Sequence, residues 1–385
     1  MKDILGEHIL HLESGSQMLR SKGDQKVPVL TAANIGSEGQ FVAGVYKRTD
    51  LKTVSRVKKM KLKAGDLIMV TDSSNYGRCL LIDDSITQLF EYISEHLYLI
   101  RPIKRVHPKY LWLKLNQSST RAHLKNRSYG SSTPFITQSE LKSIPIKIPD
   151  ITTQEKSIRK NQLLVDATLL DNQARNLFRT IEIRLFEEIF GHPKTMNSSL
   201  YPIDLNTLCE FIKDGVKSRV NGERYGFPVL SSKDISPFEF QLRSASRVSK
   251  KLFKKFAERV LPENNDILIA LTGKNRGHAT LITSLTTKFS VTNVAVLRPR
   301  KELLSPSFLI HYLNHPYTQT QLREVHSRGS AIKYISLSKL RSLQIPKHDQ
   351  DTVEAWKHHS NTLSQLRASM NNTSHILNAI SEQTI

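Results

Sequence analysis

The sequence repeats itself at an interval of about 200 residues. The stretch ITQSELKSIPI at 136–146 returns as ISLSKLRSLQI at 335–345, and both fit the pattern I-x-x-S-x-L-[K/R]-S-[I/L]-x-I. Further matches occur in the same order along the chain: Pro28-Val29-Leu30 with Pro228-Val229-Leu230, Asn34-Ile35 with Asp234-Ile235, Asp66-Leu67-Ile68 with Asp266-Ile267-Leu268, Asn75-x-Gly77 with Asn275-x-Gly277, Arg101-Pro102 with Arg298-Pro299, and Gly130-Ser131 with Gly329-Ser330. Ordered matches at a nearly constant offset indicate that one domain has been duplicated. The unit is too long for a solenoid repeat, so each copy is expected to be a complete globular domain.

Each copy contains the same order of predicted elements. Short apolar runs between turn residues predict buried strands, LIMV at 67–70 and ILIAL at 267–271. Asp66 and Asp266, just before these runs, are interpreted as turn residues. A helix with proline in its first turn is predicted next, PKYLWLKLN at 108–116 and PSFLIHYLN at 306–314. The fold class is therefore predicted as α/β (α+β), with two tandem globular domains.

A long helix is predicted after each copy. Residues 152–190 contain no proline or glycine and carry apolar residues at helical spacing, and a seven-residue repeat follows in the C-terminal tail. We expect the two helices to pair as an antiparallel coiled coil, each roughly 57 Å long at 1.5 Å per residue. The residues predicted to pack between them are Leu163, Leu170, Leu177, Ile181, Trp356, Leu363, Met370 and Leu377.

These patterns divide the chain into four parts. The predicted globular domains are 1–150 and 193–347, and the predicted spacer helices are 151–192 and 348–385. A chain of 385 residues is long enough for such an arrangement.

The charge of the chain indicates a polyanionic partner. Fifty-six Lys and Arg against 35 Asp and Glu give a net charge of +21, which favours binding to phosphates. No apolar stretch long enough to span a bilayer, basic amphipathic helix or signal peptide is visible, so we expect a cytoplasmic protein without membrane contact. Cys79 and Cys209 lie far apart, without metal-ligand spacing, and are expected to be reduced and incidental.

Sequence signatures of enzymes are incomplete or absent. Gly273-Lys274-Asn275 is a fragment of a phosphate-binding loop, and Asn314-His315-Pro316-Tyr317 departs from the Asn-Pro-Pro-Tyr motif of amino-methyltransferases. His311 and His315 lie four apart without the glutamate of a zinc protease motif. We therefore expect no catalytic residue, no metal and no cofactor bound by this chain.

Polar loops and basic segments supply the candidate DNA-binding residues. Loops at 71–78 and 272–278 follow the predicted strands, a second pair spans 121–133 and 323–331, and basic segments span 52–63 and 246–255. Arg, Lys and Asn side chains in such loops match the hydrogen-bonding edges of guanine and adenine. The candidates are Arg56, Lys58, Lys59, Ser74, Asn75, Tyr76, Arg78, Arg121, Lys125, Arg127, Tyr129, Arg247, Lys250, Lys251, Lys274, Asn275, Arg276, His278, Arg323, Arg328 and Lys333.

This layout resembles the specificity subunit (HsdS) family of type I restriction–modification enzymes. The resemblance covers essentially the whole chain and is carried by the tandem copies, the strands after Asp66 and Asp266, the Gly-Ser loops and the helix after each opening motif. It implies two target recognition domains that bind the halves of a bipartite site in double-stranded DNA. It also implies a non-catalytic chain that recruits two methyltransferase (M) subunits and the restriction/translocase (R) subunits. Those partners are expected to use S-adenosylmethionine, ATP and Mg.

Two departures from the family pattern concern helix and strand entrances. The Glu-Gln pair after the closing proline is reversed at Gln154-Glu155 and replaced by Asp349-Gln350, and the Gly-Asp at Gly65-Asp66 becomes Asn265-Asp266. Three rival interpretations remain open from the residues alone. They are a recognition subunit of another methyltransferase-dependent defence system, a nucleic-acid enzyme with an unrecognised active site, and a scaffold that binds RNA or another acidic partner.

Overall fold

A computed structural model describes residues 3–15, 26–44, 47–50, 61–71, 76–125, 135–199, 201–217, 222–324 and 334–384. The chain divides into two compact units, each built on one copy of the repeat. The first unit comprises Met1–Leu170 with Thr373–Ile385, and the second comprises Asp171–Asn372. Among the described residues, no helix has both the length and the apolar character needed to cross a membrane.

The first unit is a mixed α/β fold around a four-stranded antiparallel sheet. The sheet has the order β1-β7-β4-β5, and a smaller sheet has the order β3-β2-β6, in which β2 and β6 run parallel. Its strands are β1 Ile9–Ser14, β2 Lys26–Leu30, β3 Lys47–Asp50, β4 Leu67–Val70, β5 Cys79–Leu81, β6 Tyr92–Ile93 and β7 Leu97–Pro102. Its helices are α1 Asp84–Leu89, α2 Pro108–Leu115, α3 Ser118–Lys125, α4 Gln138–Lys142 and the start of α5 Ile151–Phe190.

The second unit repeats the four-stranded antiparallel sheet in the order β15-β14-β17-β9. A three-stranded sheet β13-β10-β16 and the two-stranded pairs β11-β12 and β18-β8 complete it. Its strands are β8 Pro202–Asp204, β9 Cys209–Asp214, β10 Phe227–Ser231, β11 Ile235–Ser236, β12 Glu239–Phe240, β13 Ser246–Val248, β14 Ile267–Ala270, β15 Ala279–Leu281, β16 Ser290–Thr292, β17 Val294–Pro299 and β18 Gln344–Pro346. Its helices, after the end of α5, are α6 Pro193–Ser199, α7 Leu205–Leu208, α8 Lys250–Ala257, α9 Pro306–Asn314, α10 Pro316–Arg323, α11 Leu337–Arg341 and most of α12 Gln350–Thr384.

The predicted strands LIMV and ILIAL are β4 and β14, and every residue of both strands is buried. In β4, Leu67 and Met69 belong to one apolar cluster and Ile68 and Val70 to another. Strand β14 divides its side chains between two clusters in the same way. A strand covered on both faces is continuously apolar, which explains why neither run alternates with polar residues.

A buried aspartate–arginine pair anchors the entrance of each of these strands. Arg101 donates from Nε and Nη2 to the two carboxylate oxygens of Asp66, both at 2.6 Å, and Arg298 does the same to Asp266 at 2.8 and 2.9 Å. Both aspartates are 1% exposed. Each aspartate also accepts a backbone N–H from the preceding turn. Both are therefore turn residues, as the sequence predicts, but the ion pair with arginine was not predicted.

The replacement of Gly65 by Asn265 at this entrance has a conformational explanation. The backbone φ angle is +91° at Gly65 and +72° at Asn265. Among residues with a side chain, asparagine is one of the few that adopt this left-handed conformation readily. The departure from the family pattern therefore preserves the turn.

Each long helix begins at an aspartate cap. Asp150 accepts the backbone N–H of Thr153 at 2.9 Å, and Asp349 accepts that of Thr352 at 2.8 Å. These hydrogen bonds to the charged carboxylates lower the pKa of both aspartates. Helix α5 then runs for 40 residues and α12 for 35. In the first unit, buried Gln154 binds the loop before α2 by accepting the backbone N–H of His107 at 2.7 Å.

The predicted packing residues on α5 are wrong, because their side chains are exposed. Leu163 is 63% exposed, Leu170 64%, Leu177 62% and Ile181 51%. In the second unit, the less exposed face of α5 lies about one residue further along the helix and combines charged and aromatic side chains: Asp171, Arg175, Phe178, Glu182 and Phe186. Periodicity identified an apolar stripe on α5 but not which stripe faces the other helix.

Within the second unit, α5 and α12 run antiparallel. Phe186 packs edge-on against fully buried Trp356 at 5.4 Å between ring centroids, and Glu182 pairs with Arg367. About two turns before Glu182 on α5, Arg175 donates to Asn371 at 2.8 Å and to the carbonyl of Met370. The pairing therefore combines an aromatic end with buried ionic contacts.

The predicted packing residues on α12 lie on its less exposed face. Trp356 is 0% exposed and Leu363 5%, whereas Met370 and Leu377 are half-buried. The row that alternates with them along the helix contains Ser360 and Arg367. Leu366 and Ile380, on another face of the helix, are exposed.

Replacing Asp66 by alanine should destabilise the first unit strongly. Arg101 would keep a buried charge without its partner, which costs about 3–5 kcal/mol of unfolding free energy. The chain has two tryptophans, and Trp112 is the one in the first unit, so urea unfolding followed by its fluorescence in a Trp356→Phe background measures this loss.

The matched control is Glu91→Ala, which breaks an ion pair with Lys61 whose side chains are 50% and 62% exposed. That change should cost no more than about 1 kcal/mol. Similar losses for the two variants would show that the buried pair does not anchor the strand.

Candidate nucleic-acid interface

In each unit, two polar loops that are distant in sequence meet at the end of the buried strand. In the second unit, Thr272 and Tyr334 form an antiparallel bridge, and the N–H of Ile335 donates to the carbonyl of Leu271 at 2.9 Å. In the first unit, the N–H of Ile136 donates to the carbonyl of Thr71 at 2.8 Å. The loop after the strand therefore starts beside the end of the loop that precedes the opening motif.

One asparagine side chain holds the far end of the first loop in each unit. Asn314 accepts the N–H of Ala279 at 3.1 Å and donates to the carbonyl of the same residue at 2.9 Å. Asn116 makes the same two bonds to Cys79, at 3.1 and 2.8 Å. Asn314 is the last residue of α9, and Asn116 directly follows α2. Their hydrogen bonds therefore fix the strand after the first loop, β15 or β5, to that helix. This contact also explains the Asn314-His315-Pro316 sequence, at which α9 stops.

Several candidates in the second unit support the loops through backbone contacts. Asn275 donates to the carbonyls of Lys233 and Ile235 at 3.2 and 2.9 Å, so its amide N–H groups are already used. Arg276 donates to the carbonyl of Arg323 at 3.2 Å, and Arg323 donates back to the carbonyl of Arg276 at 3.0 Å. These contacts bind the two loops to each other and to the hairpin β11-β12.

Two other candidates in these loops differ in charge and exposure. Lys274 is exposed at the tip of its loop. His278 is half-buried, and burial, followed by the charges of Arg323 and Arg179, lowers its pKa. Its imidazole is therefore neutral at pH 7 and adds no positive charge to the loop.

The described candidates of the first unit lie at the corresponding positions. Tyr76 packs against an apolar cluster, and Arg78 is half-buried. Arg121 donates to the side-chain oxygen of Asn116 at 3.3 Å, and Lys125 is exposed at the end of α3. Arg121 thus reinforces the asparagine that holds the loop exit.

The basic segment of the second unit forms a lysine-covered helix. Lys250 and Lys251 are exposed on α8, whereas Phe253 and Phe256 of the same helix are buried. Arg247, on the preceding strand, donates to the carbonyl of Gly226 at 2.9 Å. The helix presents cations outward because its aromatic face is bound to the core. The remaining candidates lie outside the described residues: Arg56, Lys58, Lys59, Ser74, Asn75, Arg127, Tyr129, Arg328 and Lys333.

Sequence reasoning did not select an exposed aromatic residue beside the loops of each unit. Phe135 and Tyr334 are each 46% exposed and stand directly before Ile136 and Ile335 of the opening motif. The repeat itself carried this signal, since both copies place an aromatic residue there. A second omission is the Asp214–Arg259 pair near the loops of the second unit, which no sequence pattern marked.

Two histidines and a glutamate in the second unit have the composition of a metal site. The ring protons of the histidines, however, occupy the nitrogens that would bind the metal. Nε2 of His192 and of His315 lie 3.7 and 3.2 Å from Oε1 of Glu187. Nδ1 of each ring accepts a backbone N–H, from Lys194 at 3.1 Å and from Tyr317 at 3.2 Å. A neutral ring in this state carries its proton on Nε2 and has no lone pair there for a metal. The cluster thus binds the starts of α6 and α10 to α5.

The sequence and the fold were compared with known proteins. Residues 13–173 match the family model for the type I restriction modification DNA specificity domain. A search of curated protein sequences found no match. Among solved structures, one described under complex assembly and conformational transition of the type I R-M system is 17% identical, with a TM-score of 0.57, covering 99% of this chain and 94% of that one. The S subunit of a type I restriction-modification system from M. genitalium is 15% identical, with a TM-score of 0.53, covering 100% and 93%.

Acidification should destabilise the second unit. Burial is the first cause that lowers the pKa of His278, His315 and His348, so the unfolded chain binds protons before the folded unit does. The stability from these residues is fully present above about pH 6.5 and is lost as the pH falls below that value. Urea midpoints at pH 7.5 and 5.5, followed by Trp356 fluorescence in a Trp112→Phe background, should show the decrease. An unchanged or higher midpoint at pH 5.5 would contradict it, and His348→Gln should make the decrease smaller.

Proposed function

We propose that the chain is the sequence-specificity subunit of a type I restriction–modification system, because residues 13–173 match the DNA specificity domain of such systems and the whole chain shares its fold with solved structures from them. Each unit binds one half of a bipartite site in double-stranded DNA. The chain itself is non-catalytic and acts in the cytoplasm. It brings methyltransferase and restriction subunits to the site, and those subunits supply the chemistry with S-adenosylmethionine, ATP and Mg.

The observation that carries this proposal is the duplicated meeting of two loops at the end of a buried strand. In both units the same pair of hydrogen bonds fixes the end of the first loop, through Asn116 in one unit and Asn314 in the other. The loop residues themselves differ between the copies. A conserved frame with divergent loops suits a protein that reads two different sequences with one fold.

Different side chains contact the phosphates and the bases of the DNA. Exposed lysines, such as Lys250, Lys251 and Lys274, are suited to phosphate contacts, which set position and carry no sequence information. Side chains held in the loops face base edges, where each bidentate contact discriminates by roughly 1–3 kcal/mol. The net charge of +21 favours the phosphate contacts with DNA of any sequence.

The exposed leucines of α5 supply the docking positions for methyltransferase subunits. Leu163 and Leu170 lie in the first unit, and Leu177 and Ile181 in the second, and all are at least half exposed. An apolar row of this kind on a helix surface is typical of a protein–protein contact. Each unit thus offers apolar residues to one of the two methyltransferase subunits.

Methylome sequencing tests the function directly. Co-expression with the methyltransferase encoded beside its gene should give adenine methylation at one two-part motif with a fixed gap. The purified chain alone should show no methylation, ATPase or nuclease activity. A single contiguous motif, or activity of the lone chain, would refute the proposal.

A helix insertion in the same assay tests the separation of the half-sites. Four residues inserted beside Ala174 lengthen α5 by about 6 Å, close to two base pairs of DNA. The gap in the methylated motif should change and both half-sites should stay the same. A changed half-site would show that the helix takes part in base reading.

Leu177→Glu should weaken methyltransferase binding by about tenfold or more, since it places a charge in an apolar contact. Binding of the purified chain to the methyltransferase subunit, measured by calorimetry, checks this. Asn172→Glu is the matched control, because it adds the same charge at an exposed position on another side of α5. Equal affinities for the two variants would place the docking face elsewhere.

A further inference from the structure

A cleft opens in the second unit beside the start of its first polar loop. It has a volume of about 690 Å³ and lies beside Thr272 and Tyr334, the residues that bridge the loops. Asn293, which has a positive φ of 53°, lines the cleft as well. Its charged residues are Asp214, Lys217 and Arg259. None of these three was among the candidates selected from the sequence, and all three come from outside the two loops.

Arg259 is held in one orientation by Asp214. Its Nε donates to the backbone carbonyl of Asp214 at 2.9 Å, and its Nη2 donates to the carboxylate of the same residue. The Asp214 side chain is 6% exposed, whereas the Arg259 side chain is 51% exposed. The aspartate therefore lies in the wall of the cleft, and the arginine extends from it toward solvent.

The guanidinium keeps one pair of donors for a ligand. An arginine has five N–H groups in a planar fork, and Asp214 occupies the edge formed by Nε and Nη2. Among the described residues of the unit, Asp214 is the one acceptor for Arg259, which leaves Nη1 and the second N–H of Nη2 for a ligand. Two parallel N–H groups fixed in this way match two acceptors that lie side by side in one plane.

We propose that Arg259, positioned by Asp214, reads a guanine in the half-site bound by the second unit. In the major groove, guanine presents N7 and O6 as the side-by-side acceptors that this end of arginine fits. The inference rests on the proposed function and adds a named base and a named reader to it. The cleft gives the base edge a place beside Thr272 and Tyr334.

The pairing with Asp214 favours a base over a phosphate. A carboxylate behind the guanidinium cancels its charge, and a second cation, Lys217, lies 3.6 Å from the same carboxylate. Phosphate attraction depends on net positive charge, and Asp214, Arg259 and Lys217 together carry only +1. Base reading depends instead on orientation, and the buried aspartate supplies that orientation in advance.

In sequence, the first copy does not repeat this pair. At an offset of 200 positions, Asp214 and Arg259 correspond to Ser14 and Lys59. A serine cannot hold a guanidinium by a charge-assisted bond, and lysine has no planar fork. The guanine contact therefore belongs to one half-site only, in agreement with divergent reading by the two copies.

Arg259→Gln in the full chain, co-expressed with its methyltransferase, tests the proposal by methylome sequencing. The wild-type motif should contain a guanine that the variant no longer requires, with discrimination at that one position reduced about 5-fold to 150-fold. The other half-site should be unchanged. Asp214→Asn, which keeps the shape of the side chain but removes its charge, should relax the same position.

Lys301→Gln is the matched control, because it removes a positive charge at an exposed position of the second unit that does not line the cleft. It should leave the motif unchanged, and a melting temperature equal to that of the wild type shows that each variant is folded. An Arg259→Gln motif with every base retained, at any level of methylation, overturns the proposal and identifies at most a phosphate contact. A wild-type half-site without a G·C pair overturns it also. Failure of the proposed function gives a different result, namely no bipartite motif from the wild-type chain.

Discussion

Each unit depends on a side-chain amide that imitates a β-strand partner. Asn116 and Asn314 each donate to and accept from a single residue of the strand that leaves the first loop. A buried aspartate–arginine pair fixes the start of the strand that leads into this loop, β4 or β14. Between these anchors, loop residues that make no structural contact can vary without loss of the sheet or the helix. Sequence variation and a stable frame are therefore compatible within one small domain.

The long helices show a different use of polar contacts. In the second unit the inner face of α5 carries Arg175 and Glu182, which bind Met370, Asn371 and Arg367 on α12. Buried ionic pairs contribute little net stability but penalise a shifted register, since a slip leaves a charge unpaired. The apolar row from Leu163 to Ile181 stays exposed. The helix pair therefore has a defined register and an exposed apolar face.

Duplication followed by divergence explains why the two copies agree in some places and differ in others. Hydrogen bonds that close turns recur, for example the capped starts at Asp150 and Asp349. Other matched positions of the sequence change their chemistry, as in Asp214 and Arg259 against Ser14 and Lys59. In the second unit, even some loop residues support structure, since Asn275 binds the backbone of the hairpin. The residues that set sequence preference are therefore fewer than the polar residues in the loops.

Local sequence by itself determined the duplication, the buried strands, the helix bounds near Phe190 and Asn314, and the basic charge. Those features depend on neighbouring residues, on periodicity or on totals, all of which can be read without coordinates. Only the tertiary structure decided which stripe of α5 faces inward, because a stripe such as Leu163 to Ile181 does not specify what covers it. It also decided which polar side chains are already bonded. The partners of Arg259 and Asn275 lie about 40 residues away in sequence, and contacts over that distance leave no local pattern.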